Sequence, residues 1–231
     1  MSSVAIIPAR GGSRRIPKKC IREFADRPII AYSIDAALES GLFQRVIVST
    51  DSQEIADVAV ALGAEAPFLR PAELADDFTG TDAVILHALD WLKSEGDLFD
   101  YACCVYATAP FIQARFLADG YRVLTETEAT TAFSVATWPF PLFRALKLSS
   151  EGRLEMFWPE HRLTRSQDLP DAYYDAGQFY WLDVAKYTGE GKLFSIDSVP
   201  VVIPGKFVHD IDTEEDWETA EGIHAAIRNE E

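Results

Sequence analysis

The sequence predicts an α/β protein with a doubly wound, mostly parallel, Rossmann-like sheet. Short apolar runs of strand type alternate with helical patterns through the first half of the chain. Strands that are apolar along their whole length are buried on both faces, as in a parallel sheet covered by helices. The length of 231 residues, 48% of them hydrophobic, suits one such domain. We therefore expect a single domain over residues 1–231 with a small inserted lobe at about 137–175.

The first half of the chain contains three strand-helix cycles. Strands are predicted at 4–7, 46–49 and 101–106, and helices at 28–40, 52–62 and 81–93. Pro28 stands at an early helical position, and Gly41 and Gly63 follow the first two helices. These are the usual places of proline and glycine at helix ends.

The second half is less regular. Strands are predicted at 131–137, 144–148, 178–182 and 199–203, and a final helix at 213–227. Between them, residues 149–175 have weak periodicity but many aromatic side chains, which argues against disorder. We expect a lobe here that closes over a substrate and contacts a second subunit.

The overall charge excludes several partners. The formal net charge is −16, whereas binding to nucleic acid or to an anionic membrane needs a basic face. No apolar run approaches the length of a membrane span, and the start lacks the form of a signal peptide. We expect a cytoplasmic protein. Its three cysteines, Cys20, Cys103 and Cys104, lack metal-site spacing.

A basic loop at residues 10–22 contrasts with this acidic background. It holds six of the 21 basic side chains and no acidic one: Arg10, Arg14, Arg15, Lys18, Lys19 and Arg22. The adjacent glycines Gly11 and Gly12 permit close backbone approach, and the cations neutralise phosphate charge. Because the loop follows a predicted strand, it lies where open α/β sheets bind ligands. The pattern predicts a triphosphate site.

Two familiar phosphate motifs do not describe this loop. No Gly-Lys-Ser/Thr closes it, as in a Walker A sequence, and its glycines lack the G-x-G-x-x-G spacing of dinucleotide-binding folds. The alternative interpretation is an ordinary solvated basic turn at Pro17. Asp51, at the end of a strand, faces a ligand or starts the next helix; the sequence favours neither.

A second candidate site lies where the last strand meets the last helix. Asp210 and Asp212 are two residues apart, so in extended backbone both carboxylates face one side. Carboxylates together with water and phosphate oxygens are the ligands that Mg²⁺ prefers, so the pair predicts a magnesium site. The alternative is helix capping, with Thr213 and Asp216 as a capping box. Capping accounts for those two residues but does not require Asp210.

Together these segments resemble one family, the cytidylyltransferases that activate nonulosonic acids, the sialic acid group. The resemblance rests on I-P-A-R-G-G-S at 7–13, V-S-T-D at 48–51, L-R-P-A-E-L-A at 69–75 and D-I-D-T at 210–213. Three further segments look like the branch acting on pseudaminic acid: Y-A-T-A-P at 106–110, T-R-S-Q-D-L at 164–169 and D-A-G-Q at 175–178. The motifs occur in order over almost the whole chain.

The resemblance implies a fold of the nucleotide-diphospho-sugar transferase type and a CTP-dependent reaction. The anomeric hydroxyl of the sugar acid attacks the α-phosphate of CTP, and pyrophosphate leaves. It also implies a homodimer in which the irregular lobes cross to the partner. Arg10, Lys19, Asp210 and Asp212 would be catalytic, the two aspartates through Mg²⁺.

The resemblance also implies two groups of binding residues. The nucleotide would be held by Ala9, Arg10, Gly11, Gly12, Ser13, Arg14, Lys19, Arg70 and Thr81. The sugar acid would be held by Tyr106, Arg165, Gln167 and Gln178, with the arginine on the sugar carboxylate. One position departs from the family: Cys20 stands where an asparagine is usual, and cysteine is a weak hydrogen-bonding group.

Three other functions compete with this one. The same reaction on legionaminic or N-acetylneuraminic acid would need only a few different contacts. A non-catalytic nucleotide-sugar sensor would bind nucleotide without turnover. A glycosyltransferase also uses Asp-x-Asp with a metal ion, but its motif normally follows a central strand and it needs no triphosphate loop.

Overall fold

The computed structural model describes residues 1–76 and 78–229. Ten strands are present in this part of the chain: β1 Ser3–Pro8, β2 Glu23–Phe24, β3 Arg27–Pro28, β4 Arg45–Ser49, β5 Tyr101–Val105, β6 Thr131–Thr137, β7 Leu146–Leu148, β8 Leu154–Met156, β9 Tyr173–Asp183 and β10 Val199–Val202. The α-helices are α1 Ile30–Ser40, α2 Gln53–Ala61, α3 Thr81–Ser94, α4 Ala114–Thr127, α5 Val184–Glu190 and α6 Glu214–Arg228.

Six strands form the central sheet in the order β10-β6-β9-β5-β1-β4. Strand β1 is parallel to both of its neighbours, and β10 is parallel to β6. Strand β9 alone runs antiparallel, between β5 and β6. The predicted mostly parallel sheet is therefore confirmed.

Both faces of the sheet are covered, as a doubly wound fold requires. In β1, Ala5 and Ile7 belong to one hydrophobic core, which also contains residues of α1, α4 and α6. The alternate residues Val4 and Ile6 belong to a second core on the other face, with residues of α3 and α5. Successive side chains of a strand point to opposite faces, so a fully apolar strand joins both cores.

Most predicted elements are present, with a few differences in their limits. The first helix begins at Ile30, because Arg27 and Pro28 pair with residues 23–24 in a small antiparallel ribbon. The strand predicted at 178–182 extends over Tyr173–Asp183. Five of the strands and α-helices had not been delimited from the sequence: α4, α5, β2, β3 and β8.

The segment predicted as a lobe contains the small hairpin of β7 and β8 and several single helical turns. Its side chains contribute little to the two cores of the sheet. The assignment of residues 1–231 to one domain stays a prediction, and residues 77, 230 and 231 lie outside the described part of the chain. Within that part, no helix has both the length and the apolar character needed to cross a bilayer.

Gly120 marks the tightest packing between a helix and the sheet. A Cβ atom at this position of α4 would lie 2.6 Å from Cδ1 of Trp181 and 2.8 Å from Cε2 of Phe179. Both rings are fully buried, so neither has space to move away. Only glycine lets α4 approach β9 this closely.

We predict that Gly120→Ala lowers the free energy of unfolding by about 1–3 kcal/mol, the usual cost of overpacking a core. The matched control is Gly222→Ala in α6, where the added Cβ meets no atom within 4 Å. This control should be neutral or stabilising by up to about 1 kcal/mol, since alanine is the better helix former. Urea unfolding of both variants measures the difference, and equal stability of the two would contradict the packing argument.

Candidate active site

A cleft of about 570 Å³ lies at the carboxyl ends of β1 and β5. It is lined by Pro8, Arg10, Ser13, Arg14, Arg15, Lys19, Cys20, Arg70, Leu74, Asp76, Thr79, Thr81, Val84, Tyr106, Ala107, Thr108 and Asp212. This is the edge of an α/β sheet at which ligands bind. Five arginines and lysines and only two carboxylates line the cleft, so it suits an anion.

Asp51, at the end of β4, holds the start of the basic loop. The N–H of Gly11 donates a hydrogen bond to Oδ1 of Asp51 at 2.9 Å, and the N–H of Ala9 donates to the carbonyl of Ser49 at 2.9 Å. A Cβ at Gly11 would lie 3.1 Å from Cβ of Ser52, so glycine permits this close approach. The structure thus resolves the ambiguity at Asp51: its side chain faces the loop.

Arg70 is an unusual buried cation in the cleft wall. The residue is 5% exposed, and its Nη2 lies 4.0 Å from Oδ1 of Asp51. Burial lowers the pKa of Arg70, and the Asp51 carboxylate opposes this effect. Its buried Nε has no hydrogen-bond partner in the described part of the chain. A buried donor left unpaired is costly, so this nitrogen favours a ligand that accepts a hydrogen bond.

Cys20 belongs to the basic loop and lines the same cleft as Arg70. Its Sγ is 3.8 Å from the carbonyl oxygen of Arg10, and the residue is 7% exposed. Burial raises the pKa of the Cys20 thiol to about 11, despite the nearby Lys19. The group that the cleft presents here is therefore a neutral thiol.

Asp212 also lines the cleft, where it meets cations of the basic loop. Its Oδ1 lies 2.8 Å from Nη2 of Arg15 and 3.8 Å from Nζ of Lys19. The predicted capping box is confirmed: the Thr213 and Asp216 side chains bond each other's backbone N–H groups. The N–H of Asp212 also donates to Asp216, at 3.0 Å. The start of α6 therefore fixes the backbone of Asp212.

Asp210 is placed differently from Asp212. It is exposed, it is separated from Asp212 by the buried Ile211, and it is not among the residues that line the cleft. No cluster of three or more potential metal ligands occurs among residues 1–76 and 78–229. A metal ion here would rely on one or two carboxylates.

The structure brings together about half of the predicted site residues. Those in the cleft wall are Arg10, Ser13, Arg14, Lys19, Arg70, Thr81, Tyr106 and Asp212. Those outside the wall are Ala9, Gly11, Gly12, Arg165, Gln167, Gln178 and Asp210. Ala9, Gly11 and Gly12 belong to the loop backbone beside the cleft.

The three remaining predicted sugar contacts lie apart from the cleft. Gln178 is buried, and its Nε2 donates to the carbonyl of Phe207 while its Oε1 has no partner in the described chain. Arg165 is exposed on the lobe, where its guanidinium pairs with Asp168 at 2.6 Å and 3.1 Å. Gln167 belongs to the same helical turn and is exposed.

Tyr106 and Thr81 form a hydroxyl pair within the cleft. Oγ1 of Thr81 lies 3.1 Å from the hydroxyl of Tyr106. The resemblance assigned Thr81 to the nucleotide and Tyr106 to the sugar, and the structure shows that these two side chains touch. The residue expected to contact the nucleotide and the residue expected to contact the sugar therefore lie side by side in the cleft.

Sequence reasoning gave no individual site role to several residues of the cleft, among them Arg15, Asp76 and Thr79. Arg15 belongs to the basic loop, so the signal available in the sequence was its place in that run of cations, next to Arg14. Asp76 contributes its carbonyl, which accepts a hydrogen bond from Nη1 of Arg10 at 2.9 Å. A backbone acceptor carries no side-chain signal, so the sequence offers no means of finding it.

The fold and the cleft define an α/β protein with a cationic site, at the carboxyl edge of its sheet, that suits a polyanion. Residues 4–177 match the model of the cytidylyltransferase family. The chain belongs to this family. The predicted resemblance is confirmed.

Characterised relatives in this family match along the whole chain. The pseudaminic acid cytidylyltransferase of Campylobacter jejuni is 40% identical over 224 residues, which cover 97% of each protein. The CMP-N,N'-diacetyllegionaminic acid synthase of Legionella pneumophila is 31% identical over 234 residues, covering 96% of each.

A solved structure confirms the fold assignment. The CMP:2-keto-3-deoxy-manno-octonic acid synthetase complexed with CTP superposes with a TM-score of 0.71 at 14% identity, covering 98% of this chain and 99% of that one. The predicted nucleotide-diphospho-sugar transferase fold is therefore confirmed.

We predict that Cys20 reacts slowly with alkylating reagents in the folded protein, because only the thiolate is nucleophilic. With a pKa near 11, its labelling rate should rise about tenfold per pH unit through pH 10. In urea, where the ordinary pKa of 9.0 applies, the rate should level off above about pH 9. Peptide mass mapping after iodoacetamide treatment assigns the site; a plateau below pH 9 in the folded protein would contradict the buried neutral thiol.

Proposed function

We propose that this protein transfers CMP from CTP to the anomeric hydroxyl of pseudaminic acid and releases pyrophosphate. The observation that carries the proposal is the 40% identity to a pseudaminic acid cytidylyltransferase over 97% of both chains. The cationic cleft at the carboxyl edge of the sheet supports it independently. Its charge and its place in the fold suit a nucleoside triphosphate.

In this function the basic loop binds the triphosphate. Arg10, Ser13, Arg14 and Lys19 line the cleft and offer donors to phosphate oxygens. Lys19 is mostly buried, its side chain being 16% exposed, which strengthens its interaction with an anion. Phosphoryl-type transfer needs positioning and charge stabilisation more than a covalent catalyst. The loop cations stabilise the charge that develops on the departing pyrophosphate.

Arg70 and Cys20 are the residues that we assign to the nucleoside end. The unpaired Nε of Arg70 suits an acceptor on the nucleotide, and Asp51 keeps the guanidinium in place. Cys20 presents a weak donor where the family usually has an asparagine. Selection of the base therefore relies on Arg70 and on backbone groups more than on the residue at position 20.

Mg²⁺ fits the donor chemistry of Asp212. This carboxylate lies in the cleft wall and is 39% exposed, and Mg²⁺ commonly takes one or two carboxylates together with phosphate oxygens and water. Asp210 is the second candidate ligand. When bound, the ion neutralises phosphate charge and lowers the pKa of a coordinated hydroxyl. Arg15 and Lys19 orient the Asp212 carboxylate.

A different sugar acid is the nearest alternative substrate. The Legionella pneumophila relative makes CMP-N,N'-diacetyllegionaminic acid, and it is 31% identical over nearly the whole chain. Because this identity is lower than the 40% identity to the pseudaminic acid enzyme, we favour pseudaminic acid as the substrate. In either case Tyr106 contacts the sugar. Arg165 and Gln167 stay proposed contacts that require the lobe to move or a partner to contribute, and Gln178 stays one that requires its amide to leave the carbonyl of Phe207.

The proposal includes a cytoplasmic homodimer formed through the lobe. Four large apolar side chains of the lobe are 70% or more exposed: Phe140, Leu148, Leu154 and Leu163. The β7–β8 hairpin carries two of them. A cluster of exposed apolar side chains is typical of an interface. We propose that a second copy of this chain covers these exposed side chains of the lobe.

We predict that the wild-type protein forms CMP-pseudaminic acid from CTP and pseudaminic acid, with much less product from N-acetylneuraminic or legionaminic acid. Asp212→Asn should lower kcat by about a hundredfold or more, because the charged carboxylate that we propose as a Mg²⁺ ligand is lost. Glu215→Gln, which removes an equal charge from an exposed position of α6, is the matched control and should keep full activity.

Pyrophosphate release and mass detection of the CMP-sugar measure both results. Product from another acid would replace the proposed substrate. No product from any acid, with CTP still bound, would favour the nucleotide-sugar sensor. Wild-type kcat in Asp212→Asn would remove Asp212 from its proposed role.

Sedimentation velocity tests the proposed dimer. We predict a mass twice the 25.7 kDa of the chain for the wild type, and the monomer mass for Leu148→Glu with Leu154→Glu. Burying two carboxylates in an apolar interface is strongly unfavourable. Ile196→Glu, at a fully exposed apolar position outside the lobe, is the control and should stay dimeric. A monomeric wild-type protein at micromolar concentration would contradict this proposal.

A further inference from the structure

Asp175 is held against Tyr180 by a bend in β9. The pairing of β9 with β6 shifts register between Phe133 and Val135, and Gly177 has a positive φ of 60°. The N–H of Gly177 donates to Oδ1 of Asp175 at 2.9 Å. The hydroxyl of Tyr180 donates to Oδ2 at 2.6 Å. Both carboxylate oxygens of Asp175 are therefore occupied by neighbours in its own strand.

This arrangement would not exist in a regular strand. Residues five apart in extended backbone point to opposite faces and lie about 16 Å apart, at 3.3 Å per residue. The extra residues at the register shift and the left-handed Gly177 fold the chain back. The bend therefore brings the Asp175 carboxylate to the hydroxyl of Tyr180.

Two restraints hold the Tyr180 side chain: the packing of its ring and the hydrogen bond from its hydroxyl to Asp175. The residue is 2% exposed, and its ring packs against Phe133 at 5.6 Å and Tyr106 at 5.3 Å between centroids. Burial, the neighbouring Tyr106 and the hydrogen bond to Asp175 raise the pKa of Tyr180, so the phenol stays protonated. A carboxylate can only accept hydrogen bonds, so the Tyr180 hydroxyl donates its single proton to the bond with Asp175.

Tyr106 is the next residue in this arrangement and the first that reaches the cleft. Its ring packs on Tyr180, and its hydroxyl meets Oγ1 of Thr81 at 3.1 Å. Its backbone is fixed by the carbonyl of Gln178, at 2.8 Å, and by the hydroxyl of Ser33, at 2.7 Å. With its backbone fixed, Tyr106 can move only its side chain, and the ring of Tyr180 limits that movement.

We propose that Asp175 and Tyr180 are positioning residues for the acceptor-sugar end of the cleft. Asp175 holds the Tyr180 hydroxyl, and the fixed Tyr180 ring sets where the Tyr106 hydroxyl stands beside Thr81. This pair of hydroxyls then receives a polyhydroxylated sugar acid. The proposal rests on the proposed function, because it assigns the substrate that Tyr106 contacts. Neither Asp175 nor Tyr180 lines the cleft, so both act through Tyr106.

The geometry leads to a specific kinetic signature. Loss of the Asp175 contact frees the Tyr180 hydroxyl and loosens Tyr106, while the basic loop and Arg70 stay as they are. The Michaelis constant for the sugar acid rises, and the affinity for CTP does not change. A defect that only disturbs the fold would instead raise the sugar KM and the CTP dissociation constant together, or would lower the Tm.

Tyr180→Phe is the primary variant, since it removes one oxygen and keeps the ring packing. The exposed Asp175 then bonds to water, so the fold is retained. Asp175→Ala removes the other partner. We expect each variant to raise the KM for the sugar acid about tenfold, which corresponds to about 1.4 kcal/mol. The double variant should be no worse than Asp175→Ala alone, because both single variants remove the Tyr180–Asp175 hydrogen bond and Asp175→Ala also removes the Gly177 contact.

Three readouts are needed: KM for the sugar acid, the CTP dissociation constant by calorimetry, and Tm. Asp171→Ala, which removes an exposed carboxylate four residues away, is the matched control and should behave as wild type. An unchanged sugar KM in Tyr180→Phe, or additive effects in the double variant, overturns the positioning role. If the wild type uses none of the sugar acids, the proposed function itself is wrong and the sugar-end assignment fails with it. Wild-type turnover with unaltered variants overturns only the inference.

Discussion

The site depends on the pairing between the basic loop and acidic groups from distant parts of the chain. Six cations within 13 residues repel one another in the free loop. In the fold, Lys18 meets Glu54 at 2.7 Å and Arg22 meets Glu214 at 2.7 Å. Asp51 and Asp212 hold the two sides of the loop within the cleft. These groups lie in α2, just after β4, just before α6 and in its first turn, so the loop is in place only when these distant parts of the chain have folded together.

The energy of these pairs matters less than the geometry that they impose. Most of them are exposed, and an exposed ion pair contributes about 0–1 kcal/mol. What they fix is the direction in which the loop faces, since each acceptor lies on a rigid element. The outward pairs at Lys18 and Arg22 leave the inward-facing cations directed to the cleft. An acidic protein can in this way present one local cationic surface without losing its solubility.

The features that the sequence predicted well are those that depend on neighbouring residues. The apolar run at 4–7 became β1, with alternate residues in two cores, because the strand has apolar groups on both faces. The Thr213 and Asp216 capping box formed because its partners are three residues apart. The basic loop was recognised from its own composition, and the structure places its side chains in the cleft wall. In each case the interaction is local and needs no knowledge of the tertiary fold.

The features that the sequence did not predict depend on contacts across long separations. Gln178 matched a family motif, yet its side chain is buried against the carbonyl of Phe207, because the bend at Gly177 sends the following residues into the sheet. The ion pair between Arg15 and Asp212 joins two ends of the chain, and neither residue signals the other. A motif identifies a residue but does not give the direction of its side chain. Sites assigned by motif alone therefore mix residues of the cleft wall with residues that support it.

The position of Asp212 links the two ligands of the proposed reaction. Its carboxylate is engaged by Arg15 and Lys19, the same cations that a triphosphate would contact. In the proposed reaction, a polyanion in the cleft would draw these cations away from Asp212 and leave its oxygens for the divalent ion that we propose there. Such an ion would in turn leave the cations for phosphate. Because linkage is reciprocal, each ligand would strengthen the binding of the other by the same factor. The charges around Asp212 therefore support the proposal that nucleotide and metal bind together.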